Sequence, residues 1–228
     1  MERPDTEDSM MKCLVRFGSA IVLLSLALTA SAQAEDFGAE LAAIQHEWAR
    51  INYDVADKDA KVTAFEALAE RADAFATAHP ERAEPLVWQG IVLSTTAGAK
   101  GGLGAMKLAK QAREKLEAAE QIDPGVLSGS VYTSLGTLYS KVPGWPIGFG
   151  DDDKAKAYLE KALAANPEGI DPNYFYGEYL FEQGDYTQAL AYLEKALGAP
   201  PRPGREDADA GRRGEIEALL AKVRSKAG

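Results

Sequence analysis

Apolar positions through the middle of the chain recur at helical spacing, and the pattern as a whole also recurs. Residues 157–163, Ala-Tyr-Leu-Glu-Lys-Ala-Leu, return unchanged 34 residues later at 191–197. A wider frame, A-x3-L-x2-A-x4-P, surrounds each copy: Ala155, Leu159, Ala162 and Pro167, then Ala189, Leu193, Ala196 and Pro201. A third copy is Ala112, Leu116, Ala119 and Pro124. Each frame follows an apolar segment that carries a glycine: Gly90, Gly136 and Gly177. Glycine costs a helix about 1 kcal/mol relative to alanine, so three at matched places argue for close packing. A small residue on one helix facing alanine on the next predicts a tight antiparallel hairpin, which the proline then ends.

The same periodicity predicts a helix over 37–53, with Leu41, Ile44, Trp48 and Ile51 on one face, and another over 61–78, stopped by Pro80. Together they form a degenerate first hairpin within 35–82. Three regular hairpins are expected over 83–203. The compact last one sets 12 residues between Gly177 and Ala189, against 22 from Gly90 to Ala112 and 19 from Gly136 to Ala155. The first excess falls on the glycine-rich stretch 97–104, read as an enlarged turn or an enlarged start to the second helix. The other falls on 141–150, which contains Trp145 and Phe149 among prolines and glycines. Those two rings either fold back over their own hairpin or form a lip over a groove. Asp151 is placed to cap one helix, and Gln188 to make a capping-box contact in another. An amphipathic helix over 212–226, within a terminal segment 204–228, predicts a solvating cap.

These glycines and frames resemble the tetratricopeptide repeat, a helix-turn-helix unit of 34 residues. The resemblance implies an all-α, right-handed solenoid of about four antiparallel hairpins plus a C-terminal capping helix. It also implies that first helices line a concave groove for a protein or extended peptide. By matching around the glycines, the partner-binding positions are Trp88, Ile91, Thr133, Thr137, Tyr174, Phe175, Glu178 and Phe181, with Trp145 and Phe149 at the lip. Only Lys141 supplies a cation among the groove positions, so a carboxylate clamp is not expected. Hydroxyls, aromatics and Glu178 suit a neutral or basic segment, or an apolar small ligand. Gly150-Asp151 and Lys154-Ala155 are also similar to a helix start in the T component of tripartite ATP-independent periplasmic transporters. A closed apolar cavity would favour that ligand-binding accessory role, and an open groove a scaffold or adaptor.

Composition adds an address. The chain is 46% hydrophobic with a formal net charge of −10, a poor match to nucleic acid. Lys12 and Arg16, the apolar run 21–30 and Ala32-Gln33-Ala34 predict a signal peptide over 1–34, cleaved after Ala34, with translation starting at Met10 or Met11. The exported chain would be periplasmic, or alternatively secreted, with no stable membrane anchor. The single cysteine, Cys13, falls before the apolar run, so the exported chain would depend on burial rather than disulfides. His46 and His79 lie in different hairpins, and the aspartates after Gly150 lack the glycine and glutamate of a calcium loop. Residues 98–104 lack the ending of a phosphate loop. No catalytic residue, cofactor or metal site is therefore expected, and the protein reads as a non-enzyme.

Overall fold

The computed structural model describes residues 35–227. The chain divides into two compact units, 1–41 and 42–228. Of the first unit, only 35–41 falls within the described residues, and it is helical. The leader expected over 1–34 lies outside them. All that follows concerns the second unit.

Among the described residues the structure is helical, with no strand beyond one isolated bridge between Gly144 and Gly150. Helix α1 covers residues 35–54, of which 42–54 belong to the second unit. After it come α2 (Lys58–Ala78), α3 (Ala83–Lys100), α4 (Gly102–Ile122), α5 (Val126–Lys141), α6 (Asp152–Ala165), α7 (Ile170–Glu182), α8 (Tyr186–Leu197) and α9 (Glu206–Ala227). The pairs α3/α4, α5/α6 and α7/α8 pack most extensively, and the first helices also touch in succession, α3 on α5 and α5 on α7. This is the stacked-hairpin architecture of a helical solenoid.

The repeated frame forms its core. Ala112, Leu116, Ala119, Ala155, Leu159, Ala162, Ala189, Leu193 and Ala196 are all buried. The glycines act as expected, but on a different neighbour. A Cβ on Gly90, Gly136 or Gly177 would lie 2.6, 2.7 or 2.9 Å from Cγ of Leu116, Leu159 or Leu193. The frame's leucine, rather than its alanine side chain, fills the space that glycine leaves. Alanine contributes its carbonyl, 3.2 Å away at Ala112 and 3.1 Å at Ala155.

Local capping follows the sequence closely. Asp151 accepts from the Lys154 N–H at 3.1 Å, and Asp185 accepts from the Gln188 N–H at 3.1 Å. The Gln188 amide donates to the Asp185 carboxylate instead of closing a capping box on backbone. Of the two readings of 97–104, the enlarged start to the second helix holds: α3 runs on to Lys100 and α4 starts at Gly102, across a break at Gly101 whose φ of 67° suits glycine. Two features differ from expectation. Helix α5 opens with a left-handed turn at Leu127, Ser128 and Gly129, with φ of 50°, 55° and 77°. Helix α9 begins at Glu206, well before position 212, and does more than cap the stack.

Candidate functional site: a chamber closed by the C-terminal helix

The C-terminal segment returns to the first helix. His46 Nδ1 lies 2.9 Å from Asp207 Oδ2, and the Tyr53 hydroxyl donates to Glu215 at 3.4 Å. Gly211 makes room for this approach, since a Cβ there would overlap the Tyr53 ring. The Trp48 indole joins α1 to α3 by donating to Thr95 at 3.0 Å and packing edge-on against Trp88 at 6.1 Å. Helix α7 in turn packs on α9. Helices α1, α3, α5, α7 and α9 therefore form a ring, and the concave face of the stack becomes the wall of a chamber.

That chamber has a volume of about 310 Å³. Trp48 and Tyr53 line it from α1, Trp88, Ile91 and Thr95 from α3, and Thr133, Ser134 and Thr137 from α5. Asp171 and Phe175 face it from α7, and Arg202, Arg205 and Arg212 from the returning segment. A second lobe of about 320 Å³ shares Trp88, Thr133, Asp171, Arg202 and Arg205, and is edged by Leu127 and Ser128 of the left-handed turn.

Ion pairs hold the returning segment in place. Arg202 donates to Asp171 at 2.5 Å and to Asp209 at 2.7 Å, while its backbone N–H donates to Asp209 at 2.8 Å. Arg212 donates to Asp171 at 2.9 Å and Glu215 at 2.6 Å, and its guanidinium lies 4.6 Å from the Tyr174 ring centroid and 4.5 Å from that of Phe175. Burial pushes the Asp171 carboxyl up, but Arg212 and Arg202 outweigh it and hold the group below the ordinary aspartate value. Burial also moves the Tyr53 phenol, to about 12. Arg205 differs from its neighbours. It lies 5.0 Å over the Trp88 ring and forms no ion pair with a carboxylate among the described residues, and burial followed by the charge of Arg202 lowers its pKa.

The expected partner-binding positions separate into groups. Trp88, Ile91, Thr133, Thr137 and Phe175 line the chamber. Tyr174 is interhelix core beneath Arg212. Glu178 pairs with Lys141 at 3.1 Å, and Phe181 packs on Tyr186 at 5.7 Å. The lip residues part company. Phe149 folds back, edge-on to Tyr139 at 5.7 Å and 4.4 Å under Arg113, whereas Trp145 is 90% exposed and Ile147 72%. The expected scarcity of cations in the groove does not hold, because Arg202, Arg205 and Arg212 enter it from the segment that follows α8. Their signal in the sequence was small residues, Ala208 and Gly211, threaded between arginines ahead of the last apolar stripe.

Among the described residues no group of three or more His, Cys, Asp or Glu could hold a metal ion, and no helix is long and apolar enough to cross a membrane. Residues 147–223 match the family model described as tetratricopeptide repeat. No curated protein sequence matches the chain. Among solved structures, a thermophilic TPR protein from Thermus thermophilus aligns at 18% identity over 73% of this chain and 90% of its own, with a TM-score of 0.52. Two crystal structures of MamA align at 21% identity, over 76% and 82% of this chain and 95% and 92% of theirs, with TM-scores of 0.43 and 0.42. At 18% identity the Thermus likeness is one of fold. Residues 147–223 are thus similar in sequence to tetratricopeptide repeats, and the hairpin stack is similar in fold to a solved tetratricopeptide-repeat protein.

Proposed function

We propose that the protein is a non-enzymatic, exported binding protein whose chamber holds a small molecule. The observation that carries this reading is the ring closure between α1 and α9. Tetratricopeptide-repeat folds commonly serve as scaffolds for protein partners, and an open concave face would suit an extended peptide. Here the protein's own segment 202–212 lies across that face. What remains is a cavity of about 310 Å³, at the small end of the range for ligand pockets. A half-open, aromatic-walled cavity roofed by the protein's own segment favours a ligand-binding accessory of a periplasmic transport system over an open-groove adaptor. The leader over 1–34, and a mature start at Glu35, belong to the same proposal. Native mass spectrometry of protein taken gently from envelope extract tests the reading. A bound small molecule, released on denaturation, is expected, and N-terminal sequencing should begin at Glu35. Protein that is empty, and that shows no binding across a small-molecule library, would refute the chamber reading.

A second reading, as a scaffold for a protein partner, is favoured by one observation: Trp145 and Ile147 stand in solvent on a loop that is otherwise hydrogen-bonded to itself. Trp145→Ala is expected to weaken capture of a partner without lowering stability. Undiminished capture would remove this reading.

A further inference from the structure

We infer that the chamber's ligand is a small organic monoanion, its carboxylate held by Arg205 and the Trp88 indole N–H and its apolar body lying against Trp48 and Phe175. This rests on the chamber reading above and names the class of molecule.

Donors and acceptors in the chamber are unevenly distributed. Four cations line it: Lys141, Arg202, Arg205 and Arg212. Lys141 is committed to Glu178 and Glu182, Arg202 to Asp171 and Asp209, and Arg212 to Asp171 and Glu215. Arg205 alone of the four forms no ion pair among the described residues, and its Nε is buried without a hydrogen-bond partner. Trp88 is 4% exposed, and its Nε1 is likewise buried and unpartnered. Both residues line the chamber and its second lobe, and the Arg205 guanidinium sits 5.0 Å over the Trp88 ring. Both side-chain groups can only donate. A half-buried arginine with no ion pair, its Nε buried without a partner, lies beside a buried unpaired N–H, and an acceptor with one negative charge answers both.

None of the hydroxyls around the cavity accepts from the Arg205 Nε or the Trp88 Nε1. Ser94 and Thr95 donate to the Ile91 carbonyl, Thr137 to that of Thr133, and Ser130 to that of Leu127. Their protons are committed to backbone, so these hydroxyls add no donor to the site. The polar end of a ligand thus fits at Arg205 and Trp88, and its apolar end against the Trp48 and Phe175 rings. One uncommitted cation balances a carboxylate better than a phosphate dianion.

The test is calorimetric titration of the purified protein with 3-phenylpropionate and octanoate, their neutral amides, and inorganic phosphate. The carboxylates are expected to bind at least tenfold tighter than the amides, because a charge-assisted hydrogen bond is lost in the amide. Arg205→Met and Trp88→Phe should each erase that preference while amide binding persists. Trp88→Phe keeps an aromatic ring while removing the N–H donor, so it carries the test if Arg205→Met folds poorly. Equal binding of acid and amide, or a preference that survives in both variants, would overturn the monoanion while leaving a small-molecule chamber. Phosphate binding as tightly as the carboxylates would overturn the carboxylate assignment. If neither acids nor amides bind, both the monoanion and the chamber reading fall.

Discussion

Replacing Gly136 with alanine should destabilise the protein, although alanine is the better helix former. The propensity term favours alanine by about 1 kcal/mol in a helix interior. Against it stands geometry: the new Cβ would lie 2.7 Å from Leu159 Cγ, 3.0 Å from its Cδ2 and 3.1 Å from the Ala155 carbonyl oxygen. Carbon atoms pack best at about 3.5–4.0 Å, so the overlap approaches a full ångström. Leu159 is 1% exposed and cannot swing into solvent, and the carbonyl belongs to a helix that cannot move alone. Overpacking of this kind costs about 1–3 kcal/mol. The net expectation is a loss of up to about 2 kcal/mol, or a fall in Tm of up to roughly 4–8 °C for a domain of this size. Gly214→Ala, with nothing within 4 Å of its Cβ, is the control and should gain up to about 1 kcal/mol. Urea unfolding followed by circular dichroism measures both. In a Leu159→Ala background the clash is gone, so Gly136→Ala should then become neutral or stabilising. If Gly136→Ala gains as much as Gly214→Ala in the wild-type background, the close-packing account of the repeated glycines is wrong.

Two further outcomes follow from the chamber and its rim. Asp171→Asn, which removes one partner from two arginines, is expected to cost about 1–3 kcal/mol at neutral pH, less than a fully buried pair because Asp171 is 28% exposed, Arg202 keeps Asp209 and Arg212 keeps Glu215. The folded-state pKa of Asp171 is depressed, so its contribution is present above the unfolded aspartate value of about 3.9 and is lost as pH falls through the folded one. The gap between wild type and variant, read from urea midpoints, should close on acidification below that value; a gap unchanged at pH 3 would contradict the pairing. Ser128→Gly should stabilise by about 0.5–1 kcal/mol, since its φ of 55° is costly for a residue with a Cβ and the exposed side chain gives up no packing. A lower urea midpoint for this variant would count against the left-handed turn.

What was readable in the sequence, and what was not, divides by the range of the contacts. Gly136, Leu159 and Ala155 lie within one hairpin, and their relation repeats in each unit, so period and residue size together identify them. Asp151 and Asp185 were legible because a cap acts across three residues. Phe149 and Trp145 share one composition and one loop, yet end in opposite environments, because the hydrogen bonds of that loop, such as Gly150 N–H to Pro143 carbonyl at 3.0 Å, set which ring turns inward. The 97–104 stretch reads as a turn by composition, but α3 continues through it to Lys100, an instance of tertiary packing overriding weak propensity. The ring closure was least legible. His46 and Asp207 are 161 residues apart, and Arg202, Arg205 and Arg212 resemble a solvated charge run until Asp171 is brought beside two of them.

The same arginines explain why a cavity persists instead of a filled groove. Helix α9 packs on α7 and α8 and meets α1 through Gly211, but among the described residues it makes no packing contact with α3 or α5. It therefore bridges the ring above those two helices, and the long side chains of Arg202 and Arg212 reach back to Asp171 in the first turn of α7. Two cations and one shared carboxylate, completed by Asp209 and Glu215, fix where that bridge lands; a buried ionic network gives such placement more readily than it gives net stability. Arg205, on the same bridge but with no carboxylate paired to it, is what the chamber then presents to whatever enters.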